Sequence, residues 1–282
     1  MVRQISRPLS ERLWSTAVWV LTIFFVLNLL AVIAAVIVSS FSTRWLGTWL
    51  PQGWTGRWYN SAWEEFQLGG VLLVTFQVVF GVVLLSAVIG IPAAYALARR
   101  DFPGKKLVTL LFLLPLLVPP VTYGIPLTTV LYKAGLGSTL AGVIIANLVP
   151  ALPFVILVMI PFVEQIDPRL EAAARVFGAR TGSVFRHVLI PLLLPGALAA
   201  LLLVLVRTIA MFELTFLIAG SDSQTLVVSL YAAVTASGVR APQSVDAMAV
   251  IYMLSTLVWL VIALRFINPT QMVTRVKKAP AR

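Results

Sequence analysis

The stretch "RLEAAARVFGARTGSVFRHVLIPLLLP", residues 169–195, decides the fold because it is a charged interruption in an apolar chain. It holds four arginines, a glutamate and the only histidine of the 282 residues. The whole chain is 60% hydrophobic and 11% charged, whereas a soluble domain carries about 25% charged residues. Most of the chain is therefore predicted to lie in lipid, with this segment outside it.

Six apolar stretches are long enough to cross a bilayer, which takes about 20 residues. They are residues 14–39, 69–98, 107–133, 139–163, 190–219 and 246–267. The first is too long for a signal-peptide core and lacks a cleavage site, so it is predicted to be an uncleaved anchor. The sequence thus predicts an all-α, polytopic bundle of six transmembrane helices over 14–267. A tail of 1–13 precedes it and a basic tail of 268–282 follows it.

Prolines recur inside these spans or at their rims. They are Pro92, Pro115, Pro119, Pro120, Pro126, Pro150 and Pro153. Each proline removes a backbone donor and tends to kink its helix. Repeated kinks are more useful to a bundle that moves than to a passive anchor.

The cations predict the orientation of the spans, because cytoplasmic loops carry an excess of Lys and Arg. Sixteen of the 21 cations fall on one side of the predicted bundle. Those sixteen lie in the N-terminal tail, the second and fourth connections and the C-terminal segment. Both termini are therefore predicted to be cytoplasmic, in a multi-pass protein of the cell (inner) membrane. This asymmetry also accounts for the net charge of +11, so nucleic acid is not expected as a partner.

Tryptophans crowd the first external connection: Trp45, Trp49, Trp54, Trp58 and Trp63. Such rings settle at the membrane–water interface, where an apolar body and a polar edge are both satisfied. A belt on the outer leaflet is the favoured interpretation. The alternative is a platform for an external partner.

The composition also limits the chemistry of the chain. The absence of cysteine excludes disulfides, thiolate catalysis and cysteine metal sites. One histidine and few acids leave little material for a metal cage or an acid/base pair. The chain is predicted not to be an enzyme and to hold no metal or cofactor.

The opening stretch itself predicts two short helices. Asp167 followed by Pro168 is a good helix start, and Gly178 is well placed to end that helix in the left-handed region. Leu170, Ala174 and Phe177 form a narrow apolar stripe at helical spacing, and a second helix begins near Thr181 or Ser183. An amphipathic loop with its arginines on anionic lipid is an equally good interpretation of the composition.

The same stretch resembles the cytoplasmic loop of ABC importer permeases, written as Glu-Ala-Ala, three residues, Gly, nine residues and apolar-x-Leu-Pro. Here nine residues follow Gly178 before the segment 188–191, "VLIP". The upstream half is displaced by one, because four residues separate Glu171-Ala172-Ala173 from Gly178. Residues 94–120 and 212–231 are also similar to such permeases, so the resemblance covers about 65 to 265. It is closest to the spermidine/putrescine-like branch.

The resemblance implies a type I importer in which two permease subunits form the pathway, two ATPase subunits drive it, and an extracytoplasmic binding protein delivers solute. The loop at about 164–189 would dock into the ATPase. The implied docking residues are Arg169, Glu171, Ala172, Ala173, Ala174, Arg175, Gly178, Ala179, Arg180 and Pro191. The chain has no G-x-x-x-x-G-K-[ST] motif, so ATP and Mg²⁺ are expected on the partner ATPase.

Two charged residues, Arg207 and Glu213, fall in the predicted fifth span, where an unpaired charge costs about 2.5–3.5 kcal/mol. Six residues at about 100° each put them about 120° apart, so a direct pair is not expected. Glu213 is a candidate contact for a cationic solute such as a polyamine. The alternatives are that it reaches the outer interface or that both make structural interhelical bonds. Tyr123, Asn147 and Tyr231 are further pathway candidates, although such residues more often serve helix packing.

Two other functional classes compete with the permease. A secondary transporter driven by an ion gradient predicts more acids at the midplane and an inverted repeat, whereas Glu213 is the one intramembrane acid expected here. A membrane enzyme needs clustered nucleophiles or ligands around a cavity, and the sequence presents none.

Overall fold

The computed structural model describes residues 9–45, 48–236 and 240–265. The described residues form helices and connecting turns, with one isolated bridge between Ser42 and Trp54. They belong to two compact units. One comprises Met1–Glu65 and Ser237–Ile251, and the other comprises Phe66–Ala236 and Tyr252–Arg282.

Thirteen α-helices occur in the described part of the chain. They are α1 Leu9–Ser40, α2 Arg57–Glu65, α3 Leu68–Leu85, α4 Ile91–Arg99, α5 Lys105–Leu117, α6 Pro120–Lys133, α7 Leu140–Glu164, α8 Pro168–Val176, α9 Thr181–Val184, α10 Ile190–Ile209, α11 Glu213–Ile218, α12 Leu226–Thr235 and α13 Pro242–Arg265. Two π-helical segments, Ser86–Gly90 and Phe185–Leu189, continue into α4 and α10.

Five helical stretches are long and apolar enough to cross a membrane within the described ranges. They are Leu13–Ser40, Leu68–Arg99, Leu140–Glu164, Thr181–Ile209 and Pro242–Ile262. The pair α5 and α6 makes a sixth when it is counted as one bent span. The predicted all-α polytopic fold is confirmed. Of the predicted tails, residues 1–8 and 268–282 lie outside the described residues, and α1 already begins at Leu9.

The third span is broken, whereas the sequence predicted one helix over 107–133. Helices α5 and α6 meet at an angle of 103°. Val118 and Pro119 are both extended, with ψ of 136° and 135°. The break follows from the Val118-Pro119-Pro120 run, because a residue before proline avoids the helical region and proline offers no donor.

The fifth span also differs from the predicted 190–219. It begins at Thr181 and ends at Ile209, so the expected second short helix continues directly into the span. Ile190 donates its N–H to the carbonyl of Phe185, five residues back. This wider π turn carries the helix up to Pro191, so the proline does not start a new element. Beyond Ile209 the chain turns and resumes as α11.

The other π-helical segment, Ser86–Gly90, also lies directly before an Ile-Pro pair. Residues 86–92 read "SAVIGIP" and residues 185–191 read "FRHVLIP", so each π segment is followed directly by Ile-Pro. A π turn commonly marks a one-residue insertion in an α-helix. Both segments fall in the larger unit, at Ser86–Gly90 and Phe185–Leu189.

The core of the larger unit is organised around α7, which packs against α3, α4 and α10. Val155, Met159 and Val163 of α7 are fully buried. Glycines allow the close approach of neighbouring helices: a Cβ on Gly196 would lie 2.5 Å from the ring of Phe162. Burial of this apolar surface inside the chain holds the bundle together by dispersion and close packing.

The smaller unit is held by polar contacts of α2 with the start of α13. Glu65 pairs with Arg240 at 2.8 Å and accepts a hydrogen bond from Ser244 at 3.1 Å. Asp246 accepts a hydrogen bond from Ser39 at 2.5 Å. Asp246 lies near the start of Pro242–Ile262, a helix apolar enough to span a membrane, so it is a second candidate for an intramembrane acid beside Glu213.

The tryptophan-rich connection lies in the same unit. The indole N–H of Trp45 donates to the Thr48 carbonyl and that of Trp58 donates to the Ser42 carbonyl. Trp49, Trp54 and Trp63 are exposed. The belt at the lipid interface stays a prediction.

Candidate functional site

Helix α8, at the centre of the predicted docking loop, is defined by local signals in the sequence. The Asp167 carboxylate accepts a hydrogen bond from the Arg169 N–H at 2.9 Å, and Pro168 opens the first turn. Gly178 ends the helical turn with φ of +83°. Ala179 donates its N–H to the Ala174 carbonyl at 3.1 Å, which closes the C-terminal end. The predicted start and stop of this helix are confirmed.

The C-terminal end of α8 exposes large apolar side chains. Val176 is 86% exposed and Phe177 is 90% exposed, and Leu170 is exposed on the first turn. These side chains form an apolar end on an otherwise charged short helix. Of the predicted docking residues, Arg169, Ala172, Ala173, Arg175, Gly178 and Arg180 are exposed, Ala174 and Ala179 are half-buried, and Pro191 is exposed in the first turn of α10.

Glu171 points the other way, into the protein. It is 8% exposed. Its Oε2 accepts a hydrogen bond from the Tyr95 hydroxyl at 2.6 Å, and its Oε1 lies 3.3 Å from Nε of Arg99. Its assignment to the docking surface is therefore wrong. Each residue turns a helical side chain by about 100°, so Glu171 lies on a different face of α8 from its exposed neighbours Ala172 and Ala173.

Tyr95 and Arg99 are functional candidates that the sequence analysis missed. Arg99 also donates to the Ile166 carbonyl, just before α8. The Tyr95 ring packs edge-on against Phe185, with centroids 5.8 Å apart. The available signal was their spacing, because residues four apart in α4 share one helix face.

A second polar cluster lies inside the bundle. Asn147 and Arg207 line one cleft together with Thr208 and Met211. Asn147 is buried, and its amide donates to the Val143 carbonyl at 2.9 Å and to Thr215 Oγ1 at 3.1 Å. Its Oδ1 has no hydrogen-bond partner among the described residues. A buried acceptor beside a cleft is free to bind water or solute.

Tyr123 joins this cluster from α6. Its buried hydroxyl has no hydrogen-bond partner among the described residues, and the charges of Arg207 and Glu213 both act on it. The Arg207 guanidinium also lies 5.6 Å from the centre of the Phe154 ring, a cation–π distance. Tyr123 thus lies within electrostatic reach of both Arg207 and Glu213.

Glu213 is not in the fifth span, as the sequence predicted, but is the first residue of α11. The angular separation of 120° assumed one continuous helix, so it does not apply. No Arg207–Glu213 ion pair is found between the described residues.

Tyr231 packs on aromatic side chains that neighbour Glu213 in the sequence. Its ring packs on Phe212 and Phe216, with centroids 4.8 and 5.5 Å apart. These two phenylalanines flank Glu213 along the chain. Tyr231 therefore belongs to an aromatic group at the edge of the cluster.

The described part of the chain contains no candidate metal site. No group of three or more His, Asp or Glu side chains there could hold a metal ion.

A family model described as "Binding-protein-dependent transport system inner membrane component" matches residues 86–272. This match covers helix α8 and the polar cluster residues Asn147, Arg207 and Glu213. The chain belongs to this family. The family description names an inner-membrane component of a transport system, and the apolar helices of this chain are consistent with a multi-pass membrane protein.

Two curated relatives show the range of this permease family. The chain is 35% identical over 167 residues to a probable molybdenum ABC transporter permease protein of Haloferax volcanii, covering 56% of this chain and 61% of that one. It is 37% identical over 123 residues to the trehalose transport system permease protein SugB of Mycobacterium tuberculosis, covering 44% of this chain and 45% of that one. The chain thus spans less than two thirds of the length of either relative.

A solved structure shows the same permease fold. A chain of a bacterial ABC transporter involved in the import of the acidic polysaccharide alginate superposes with a TM-score of 0.78 at 19% identity. The match covers 93% of this permease and 99% of that chain. The predicted permease family is confirmed by the family match. Its spermidine/putrescine-like branch is not supported, because the relatives named here are not polyamine permeases.

Proposed function

We propose that this permease forms half of the solute pathway of an ATP-driven importer and docks to a separate ATPase through α8. The observation that carries the proposal is the exposed apolar end of α8, where Val176 and Phe177 are almost fully accessible. Burial of these side chains against a soluble partner would remove them from water, which favours docking.

The proposed assembly has three further kinds of subunit. A second permease, identical or homologous, completes the pathway, two ATPases bind ATP and Mg²⁺, and an extracytoplasmic binding protein delivers solute. The family description supports the last of these, since it names transport that depends on a binding protein. The predicted cytoplasmic side carries α8, which is where the ATPases bind.

The direct test is uptake into proteoliposomes that contain this permease, its second permease, the ATPase and the binding protein. Radiolabelled molybdate, trehalose and spermidine serve as three probes of different charge. Uptake is expected to require ATP and to stop when the ATPase is left out. Uptake driven by a proton or sodium gradient without ATP would contradict the proposal and favour a secondary transporter.

The solute is proposed to be small and polar, and to meet the cluster of Tyr123, Asn147, Arg207 and Glu213. Two buried polar atoms without protein partners, Tyr123 Oη and Asn147 Oδ1, support this. The cluster offers both charges, so it suits a solute with several hydrogen-bonding groups. A polyamine is the finer proposal, and it rests on Glu213 alone.

Replacing Glu213 with glutamine tests that finer proposal. A charge-assisted hydrogen bond contributes about 1.5–3 kcal/mol, so spermidine uptake is expected to fall about tenfold or more. The measurement is the initial rate in the proteoliposomes described above. Asp222→Asn is the matched control, because Asp222 is exposed in the short helix Ser221–Ser223. Unchanged spermidine uptake in Glu213→Gln would remove Glu213 from the pathway.

A further inference from the structure

We infer that Glu171 is a positioning residue that clamps the docking helix α8 to α4, so that α8 and the second span move together. The inference rests on the proposed function, because it assigns α8 a movement to transmit. The three groups that make the clamp are the carboxylate of Glu171, the hydroxyl of Tyr95 and the guanidinium of Arg99. No other residue of α8 is buried.

Both carboxylate oxygens of Glu171 are engaged on α4. Oε2 accepts from the Tyr95 hydroxyl at 2.6 Å and Oε1 lies 3.3 Å from Arg99 Nε. The Arg99 and Glu171 side chains are both largely shielded from solvent. The Tyr95 hydrogen bond to the charged carboxylate is stronger and more directional than a neutral one. The Arg99 contact is an ion pair without a hydrogen bond, and its shielding keeps salt from weakening it.

The clamp has a second attachment on each side. Arg99 also donates to the Ile166 carbonyl, in the connection between α7 and α8. Tyr95 also contacts Phe185, the first residue of the π-helical segment that leads into α10. A displacement of α8 is therefore passed to α4 through the Tyr95 hydrogen bond to Glu171 and the Arg99–Glu171 ion pair. The Tyr95 ring passes it on toward α10.

The remaining surface of α8 explains why the clamp matters. Its other side chains are exposed or half-buried, so apolar packing does little to hold it to the bundle. A docking helix without a fixed attachment would yield to its partner without moving the spans. The inward-facing carboxylate of Glu171, held by Tyr95 and Arg99, supplies that attachment.

The first experiment measures the clamp in the permease alone. Because the chain has no cysteine, nitroxide labels on Arg100→Cys and Pro168→Cys are the sole labels. Both positions are exposed, and neither belongs to the proposed docking residues. The distance distribution between them is expected to be narrow, and to broaden at least twofold in Glu171→Gln and in Tyr95→Phe. Asp101→Asn is the matched control, because its exposed side chain pairs with Lys105 on the surface. Equal widths in the unmodified permease and in Glu171→Gln would overturn the clamp.

The second experiment adds the partner ATPase and traps it with ATP and vanadate. The distance between the two labels is expected to stay constant in the unmodified permease, because α8 and α4 move as one. In Glu171→Gln the trapped state is expected to lengthen or shorten this distance, a result that a purely structural role would not produce. A nucleotide-dependent distance in the unmodified permease would overturn the inference. Failure of the ATPase to bind would instead count against the proposed function, and the narrow distribution in the permease alone would still support the clamp.

Discussion

Replacing Val176 and Phe177 together by serine is expected to abolish the stimulation of the partner ATPase by this permease. The two side chains are the most exposed of the large apolar groups on α8 and its C-terminal end. Central apolar anchors of an interface each contribute about 2 kcal/mol or more, so the double variant should bind its ATPase at least 100-fold more weakly. The measurements are the affinity for the ATPase in detergent micelles and the rate of ATP hydrolysis in the assembled complex.

A matched control separates this effect from a general loss of apolar surface. Phe102 is 39% exposed in the connection between α4 and α5, on the same predicted side of the membrane. Phe102→Ser is expected to leave ATPase binding within about twofold, since Phe102 is not part of α8. Normal binding by the Val176→Ser, Phe177→Ser variant would show that the ATPase contacts another surface.

Replacing Gly142 by alanine is expected to destabilise the bundle strongly. A Cβ at this position would lie 2.0 Å from the Leu136 carbonyl oxygen, and a backbone atom cannot turn aside as a side chain can. The same carbonyl accepts a hydrogen bond from Thr139, whose hydroxyl also accepts from the Gly142 N–H at 3.0 Å. Relief of the clash would therefore break the cap of α7, and the loss in free energy of unfolding is expected to be about 3 kcal/mol.

Gly70→Ala provides the comparison for this stability measurement. Gly70 is the third residue of α3, as Gly142 is the third residue of α7, and no atom lies within 4 Å of a Cβ built on it. Alanine there is expected to change stability by at most about 1 kcal/mol and in the stabilising direction. Denaturation in mixed micelles, followed by helical circular dichroism, measures both variants. Equal stabilities would mean that the turn before α7 shifts without cost.

The parts of the fold that depend on local chemistry could be predicted from the sequence. The Asp167 cap, Pro168 and the left-handed Gly178 act within a few residues of one another, and each occurs where the pattern placed it. The spans could be predicted for a similar reason, because a run of about 20 apolar residues matches the thickness of the bilayer's hydrocarbon core. The ends of the spans could not be predicted, because a proline either ends a helix or is accommodated within it, depending on the backbone around it.

The two proline-containing spans show this difference. Pro119 and Pro120 end α5 and turn the chain by 103°, whereas Pro191 continues a helix that began at Thr181. The difference lies in the wider π turn before Pro191. Hydrophobic periodicity alone does not reveal such a turn, because an extra residue in an apolar helix leaves its composition unchanged.

The candidate sites divide in the same way. The exposed face of α8 was predicted from its own residues, but the burial of Glu171 depends on Tyr95, which lies 76 positions earlier. The pathway residues Asn147, Arg207 and Tyr123 come from three different helices, so only tertiary packing could place them together. Contacts between residues that are far apart in the chain could not be predicted, even where the individual residues were identified as candidates.

The two Ile-Pro π segments also set how the molecule can tolerate changes in length. One residue added to or removed from a span rotates everything beyond it by about 100°, which would turn a lipid-facing stripe inward. Ser86–Gly90 and Phe185–Leu189 already hold a surplus residue without that penalty. Insertions and deletions that arise during evolution should therefore collect at these two segments. The π turns set how far one half of each span is rotated about the helix axis relative to the other half.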